Sequence, residues 1–247
     1  IILEEKDKYY IEIHDNLMFY KDDSGFLWTS EKDGFNHIYL YQISGKERRQ
    51  ITKGNWEVTN FYGYDDKNKV LYFQSNEESP LERNIYRVNI WGKSKKKLSK
   101  KSGTNSASFN SNFSYFINTY SNANLPNAIT LNNNTGEVIK NLKNSESLRG
   151  SLSEYELTSK EFFNFKTEQG IKLNGWMMKP YNFDESKKYP VLMYVYGGPG
   201  SQTVLDSWDR NYMWYQMLCQ QGYIVVSIDN RGTCLLYTSP SPRDLLG

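Results

Sequence analysis

The stretch VLMYVYGGPGSQ, Val191 to Gln202, decides how the second half of the chain is interpreted. Its first six residues are apolar or aromatic and run directly into Gly197-Gly198-Pro199-Gly200. A run that is apolar at successive positions is typical of a strand covered on both faces, as in α/β sheets. Such sheets carry their chemistry at the carboxyl ends of the strands. The stretch therefore predicts a buried strand over 191–196 with Tyr196 at a candidate functional loop.

The residues before this strand predict an antiparallel pair. Segments 161–166 and 173–178 alternate between polar and apolar residues, and Glu168-Gln169-Gly170 supplies the turn between them. Residues 142–157 are polar and follow neither pattern, so we interpret them as a linker.

The residues after the loop predict a helix and a further strand. Asp206 or Ser207 can cap the start of the helix, and Gly222 stands where a glycine cap ends one. Residues 223–229 form a second buried strand, which leads into 230–232. The order strand, strand, strand, helix, strand is that of a doubly wound α/β domain. The expected apolar face of the helix consists of Trp208, Tyr212, Tyr215 and Leu218 or Cys219.

Residues 26 to 141 contain a weak internal repeat. Apolar strands begin at residues 26, 70 and 114, so the spacing is 44 residues each time. Multi-strand repeats of about 40 to 45 residues are typical of β-propeller blades, which bury both faces only by stacking on neighbours. About three blades fit here, whereas closed propellers have at least four. The predicted strands are 26–30, 37–43, 49–52, 70–75, 84–90, 97–99, 114–118, 127–131 and 138–140.

The two ends of the chain carry their own expectations. The chain begins Ile1-Ile2 without Met, so we expect it to be an internal piece of a longer protein whose other blades precede Ile1. Residues 234–247 have no periodicity and interrupt a buried-strand motif. We interpret them as a non-native tail, with a natural disordered terminus as the alternative.

Composition excludes several classes of function. The net charge of +2 gives no strong attraction to nucleic acid, and the basic run Lys93–Lys97 is interpreted as a solvated turn. Two cysteines, Cys219 and Cys234, make neither a disulfide framework nor a metal site. His14 and His37 are interpreted as turn or strand-end histidines, because no ligand set accompanies either. Apolar runs are too short for a membrane span. No cofactor and no metal ion are expected.

A propeller followed by an α/β-hydrolase domain resembles the prolyl oligopeptidase (S9) family of serine peptidases, and within it the dipeptidyl peptidase IV-like branch. Tyr196 separates this chain from the acylaminoacyl-peptidase branch, which usually has His at that position. The resemblance covers residues 1 to about 232. Its motifs are SEKDGFNHIYLY at 30–41, GNWEV at 54–58, RNIY at 83–86, KYPVL at 188–192, YGGPGSQ at 196–202 and DNRG at 229–232.

The resemblance implies domain boundaries and a reaction. It assigns 1–141 to a partial β-propeller, 142–157 to the linker and 158–233 to the start of the α/β-hydrolase domain. The activity implied is removal of dipeptides, with Pro or Ala second, from peptide substrates with a free N-terminus. A Ser nucleophile, a His base and an orienting Asp would perform it. For the parent protein the resemblance favours a homodimer and the periplasm or cell envelope of a bacterium, although the chain itself shows no compartment.

The same resemblance assigns roles to individual residues. Tyr196 matches the oxyanion-hole tyrosine of the family; from the residues alone, one more core aromatic is the alternative. Trp56 and Glu57 are interpreted as blade-packing residues rather than substrate contacts. Asp229 and Arg231 are interpreted as structural, pairing near the strand end.

The reaction centre itself is expected outside this chain. The nucleophile motif G-x-S-x-G does not occur in the 247 residues, and Ser201 has no partner histidine near it in sequence. The resemblance implies that the triad follows this chain in the parent and that the paired glutamates, which bind the substrate amino terminus, precede Ile1. This chain alone is therefore predicted to be inactive and poorly soluble. Two rival interpretations remain: another S9 endopeptidase or tripeptidyl peptidase, and a non-enzymatic propeller binding module.

Overall fold

The computed structural model describes residues 1–7, 11–198, 201–231 and 233. The chain divides into two compact units. The first takes residues 1–119 and 129–142, and the second takes residues 120–128 and the chain from Lys143 onward. The predicted tail, 234–247, lies outside the described residues, as do Pro199 and Gly200.

Three four-stranded sheets follow one another in the first part of the chain, and in each the strands are neighbours in sequence order. The pairs in the first two sheets are antiparallel. The first sheet contains β1 (Met18–Phe19), β2 (Gly25–Ser30), β3 (His37–Gln42) and β4 (Glu47–Gln50). The second contains β5 (Val58–Asp65), β6 (Val70–Ser75), β7 (Asn84–Asn89) and β8 (Lys96–Lys97). The third contains β9 (Thr104–Phe109), β10 (Tyr115–Asn122), β11 (Leu125–Asn133) and β12 (Val138–Lys143).

The predicted strands are present, but the repeat contains one strand more than the sequence indicated. β1, β5 and β9 each precede the strand with which the predicted unit began. β5 escapes detection because register shifts on both sides of Asn60 and Phe61 break its alternation, and Gly63 lies in the left-handed region at φ 135°. β1 is only two residues long, and β9 has the polar sequence TNSASF.

The middle sheet is buried on both faces. Leu71 and Phe73 of β6 pack into a core shared with the first sheet, which includes Leu27 and Ile38. Tyr72, between them, faces a second core with Ile85, Leu98 and Phe116. Alternate side chains of β6 thus pack into two different cores, one on each face of the sheet. Each fully buried large apolar side chain contributes about 1.5–3 kcal/mol to stability. This arrangement explains why the blades need one another.

A buried hydrogen-bond pattern recurs in the first two sheets. The hydroxyl of Thr52 lies 3.1 Å from His37 Nδ1 and accepts from the Ile38 N–H at 2.9 Å. In the next sheet the Ser99 hydroxyl donates to Asn84 Oδ1 at 2.8 Å and accepts from the Ile85 N–H at 3.1 Å. In both sheets a polar residue at the start of the third strand thus bonds a hydroxyl 15 residues later.

The second unit contains a mixed four-stranded sheet. Its order is β13-β14-β16-β15, with β13–β14 and β14–β16 antiparallel and β15–β16 parallel. The helix α2 lies between β15 and β16 in sequence, whereas α1 lies in the segment predicted as a linker. The hairpin tip 120–128 belongs to this unit. The elements are α1 (Glu146–Leu152), β13 (Glu161–Lys166), β14 (Lys172–Met178), β15 (Val191–Met193), α2 (Tyr212–Gln220) and β16 (Ile224–Ile228).

The prediction of a buried strand over 191–196 was wrong in length and in burial. β15 ends at Met193, and the side chains of Val191, Met193 and Val195 are 59%, 56% and 50% exposed. β15 is the edge of the described sheet and pairs only with β16, and the alternate residues 191 and 193 on one of its faces are exposed, as is residue 195 beyond its end. An uninterrupted apolar run is therefore compatible with an edge strand.

The predicted helix was correct at its end and wrong at its start. The Gly222 N–H donates to Cys219 O and the Tyr223 N–H donates to Leu218 O, both at 3.0 Å, and Gly222 has φ 86°. This is the expected glycine cap. α2 begins at Tyr212 rather than after Asp206 or Ser207. Instead of capping it, Asp206 accepts from the Ala123 N–H at 2.8 Å, within the second unit.

Candidate functional site

The glycine loop after β15 is attached to β16 at both ends. Upstream, Met193 pairs with Val226, and the Tyr194 N–H donates to Val226 O at 2.8 Å. Downstream, Thr203 and Val204 bond the carboxylate of Asp229, directly after β16. The two attachment points of the loop, Val226 and Asp229, are therefore only three residues apart along the chain.

Tyr196 lies at the surface of this loop, with 55% of its area exposed. Gly197 follows in the left-handed region at φ 75°, which favours glycine. The Tyr196 ring then lies against Gly198, where an added Cβ would come 3.0 Å from Tyr196 Cε1. Within the described part of the chain, no hydrogen bond to the phenol oxygen is found. The phenol is thus an exposed donor that can bond an incoming group.

Asp229 was correctly interpreted as structural, and the structure shows its partners. Its carboxylate accepts from the Thr203 N–H at 2.9 Å, the Thr203 hydroxyl at 2.7 Å and the Val204 N–H at 3.0 Å. Arg231 reaches the β13–β14 turn, where its Nη1 lies 3.4 Å from Gln169 Oε1. The two residues thus hold different segments of the second unit.

Trp56 packs inside the blade, as predicted. Its ring stands edge-on to His37 at 4.8 Å and stacks on Phe73 at 6.2 Å between centroids. Its neighbour Glu57 has a property that the sequence did not reveal. Burial and, to a smaller extent, the nearby Glu31 raise the pKa of Glu57 to about 7, although Arg83 opposes the shift. Only the folded chain brings these three residues together, since they are distant in sequence.

The remaining candidates take structural positions. His14 Nε2 lies 2.9 Å from Thr29 O, and burial lowers the pKa of His37 at the start of β3. Burial raises the pKa of the Cys219 thiol to about 11, so it stays protonated at neutral pH. Cys234 lies outside the described residues. In the described ranges, no group of three or more His, Cys, Asp or Glu side chains could hold a metal ion. None of the helices there is both long and apolar enough to cross a bilayer.

The family model and the named relatives indicate a class of hydrolases, the dipeptidyl peptidases. Residues 1–127 match the family model of the dipeptidyl peptidase IV (DPP IV) N-terminal region, about half of the chain. The chain therefore belongs to the dipeptidyl peptidase IV family.

Solved structures and curated relatives agree with this family. The crystal structure of Porphyromonas gingivalis dipeptidyl peptidase 4 matches with a TM-score of 0.87 and 42% identity, covering 94% of this chain and 33% of that one. A probable dipeptidyl-aminopeptidase B of Arthroderma gypseum is 35% identical over 219 residues, 86% of this chain and 24% of the relative. Dipeptidyl peptidase 4 of Trichophyton rubrum is 33% identical over 215 residues, covering 84% of this chain and 28% of that protein. This chain thus spans only about a quarter to a third of these proteins.

Proposed function

We propose that the full-length protein containing this chain is a serine exopeptidase that releases N-terminal dipeptides with Pro or Ala second. Residues 158–233 would form the start of its α/β-hydrolase domain, and 1–141 part of its propeller. The observation that carries the proposal is the parallel β15–β16 pair, which has the Tyr196 loop at the carboxyl end of β15. Ligands of α/β sheets bind at such ends. The names of the relatives supply the substrate class, peptides.

Tyr196 would act as an oxyanion donor. When a nucleophile attacks a peptide carbonyl, negative charge develops on the carbonyl oxygen, and a donor already in position stabilises it. The Tyr196 phenol carries an O–H donor and is exposed to an approaching substrate. Its loop is held at both ends, so the donor need not be reorganised during the reaction.

The nucleophile and its partners would come from other parts of the full-length protein. The chain contains no G-x-S-x-G motif, and its two histidines, His14 and His37, belong to the first unit. Loss of triad members costs on the order of 10⁴ to 10⁶ in rate. The 247-residue chain alone is therefore expected to be inactive.

The test is cleavage specificity of the purified full-length protein. We expect it to hydrolyse a Gly-Pro chromogenic amide, to leave the N-acetylated form of the same compound intact, and to lose activity with a serine-directed phosphonate. Cleavage of the acetylated compound would replace the proposal with an endopeptidase. A folded protein that hydrolyses neither compound would favour a binding module.

A further inference from the structure

The carboxylate of Asp229 is buried, and it forms hydrogen bonds with a segment that is far from it in sequence. Asp229 is only 3% exposed. Its carboxylate accepts hydrogen bonds from the N–H groups of Thr203 and Val204 and from the Thr203 hydroxyl. A buried carboxylate is costly unless its oxygens are bonded, and three bonds to one dipeptide make the contact specific. The contact therefore fixes where the chain leaves the glycine loop.

Two further side chains hold Thr203 in place. Because the Thr203 hydroxyl hydrogen is used on Asp229, the Ser227 hydroxyl must be the donor of the 3.0 Å bond that joins it to Thr203 Oγ1. Trp176 Nε1 donates to Thr203 O at 3.1 Å. Trp176 and Ser227 are opposite each other in the β14–β16 pair, and both are fully buried. Thr203 is thus attached to the sheet through its N–H, its carbonyl and its hydroxyl.

We propose that Asp229 is a positioning residue for Tyr196. The loop that carries Tyr196 has its upstream attachment at Val226 and its downstream attachment at Asp229, through Thr203. If the downstream attachment is weakened, the loop gains freedom and the phenol no longer occupies one position. A displacement of about 1 Å can cost on the order of 100-fold in rate, because a donor must already point at the developing charge. This inference rests on the proposed role of Tyr196.

Asp229→Asn tests the carboxylate without changing its volume. The amide keeps one acceptor oxygen, and its NH₂ group would face the N–H of Thr203 or Val204, so at least one bond is lost. Asp184→Asn is the matched control. Asp184 also accepts both the N–H and the hydroxyl of one residue, Ser186, at 3.0 and 2.7 Å, but on an exposed turn.

The experiment is a double-mutant cycle in the full-length protein with a Gly-Pro chromogenic substrate. Asp229→Asn should lower kcat about 10- to 100-fold with little change in KM. In a Tyr196→Phe background the same change should cost less than about threefold, because the donor that it positions is gone. Asp184→Asn should leave kcat unchanged. Equal losses in both backgrounds would overturn the positioning role while leaving Tyr196 as the donor. If Tyr196→Phe alone had no effect, the proposed role of Tyr196 would be wrong, and the inference with it.

Amide hydrogen exchange supplies a readout that needs no activity. Asp229→Asn should accelerate exchange at Thr203 and Val204 at least about tenfold, whereas Asp184→Asn should not. Unchanged protection at both amides would contradict the inference. If Asp229→Asn fails to fold, Thr203→Val removes only the hydroxyl bonds, and it should give a smaller loss of kcat that is again absent in the Tyr196→Phe background.

Discussion

Two aromatic settings, one in each unit, differ sharply. In the first unit the rings of Tyr39, Trp56 and Phe73 lie inside the sheets and pack on other side chains. In the second unit Tyr196 stands at the surface of a glycine loop. With 55% of its area exposed, Tyr196 gains less from packing than these buried rings do. The comparison therefore contrasts rings that stabilise a blade with the strand-end ring that we propose to act on substrate.

Buried polar contacts differ between the units in a related way. The His37–Thr52 and Asn84–Ser99 contacts occupy equivalent positions of successive sheets, so they belong to the repeat. The Asp229–Thr203 contact lies just beyond the end of β16 in the second unit and holds the segment that follows the glycine loop. The repeated contacts therefore stabilise the sheets, whereas we propose that the Asp229–Thr203 contact positions the candidate site.

The largest expected effect on stability is at the blade core. Trp56→Ala should reduce the free energy of unfolding by about 3–5 kcal/mol, because it removes a buried ring between His37 and Phe73. Trp91→Ala is the matched control, since Trp91 is largely exposed, and it should cost less than about 1 kcal/mol. Urea unfolding measures both. Equal losses would break the distinction between packing and surface aromatics.

A smaller loss is expected at the repeated polar contact. Ser99→Ala leaves the buried Ile85 N–H and the Asn84 amide oxygen each short of a partner, which should cost about 1–3 kcal/mol. The control Ser44→Ala removes an exposed hydroxyl and should change stability by less than about 0.5 kcal/mol. Thermal unfolding of the variants compares them. An unaffected Ser99→Ala protein would mean that the repeated contact is dispensable.

Glu57 should make the free energy of unfolding depend on pH. Burial raises its pKa from 4.5 to about 7, so between these values the folded state binds more proton than the unfolded state. The stability that it contributes is therefore present at low pH and lost as pH rises through this window. Glu57→Gln should match the wild type near pH 4.5 and be more stable by about 1–3 kcal/mol at pH 8.

Unfolding measured at both pH values checks this prediction, with the exposed Glu154→Gln as a control that should show no such difference. A Glu57→Gln variant that is less stable than the wild type at pH 8 would show that the charged form is favoured in the fold, contrary to the burial argument.

The smallest effect is expected at the edge of the second sheet. Lys97 forms a partly exposed ion pair with Glu78. Lys97→Ala should cost less than about 1 kcal/mol, and the cost should shrink at high salt because such pairs are screened. Thermal unfolding at low and high salt measures it. A salt-independent loss above 2 kcal/mol would point to a role in packing instead.

The sequence predicted those features that depend on local patterns. Alternation located β6 and β7, the β13–β14 hairpin and its turn, and Gly222 located the end of α2. Features set by distant contacts were missed. β5 is irregular in register, and Asp206 bonds Ala123 rather than the helix.

At the candidate site, sequence reasoning singled out Tyr196 but did not predict its surroundings. The motif located Tyr196 and named Asp229 as structural. It could not show that Asp229 bonds Thr203, because 26 residues separate them and only the sheet brings them together. It also predicted burial for Val195, since apolar runs do not distinguish a central strand from an edge strand.

The most direct test of the central claim is Tyr196→Phe in the full-length protein, measured for both kcat and stability. The change removes only an exposed hydroxyl, so the free energy of unfolding should stay within about 0.5 kcal/mol of the wild type. We expect kcat for a Gly-Pro chromogenic substrate to fall about 10²- to 10³-fold, the cost of losing one oxyanion donor. A variant with unchanged kcat would contradict the account and leave Tyr196 as a surface aromatic without a part in the reaction.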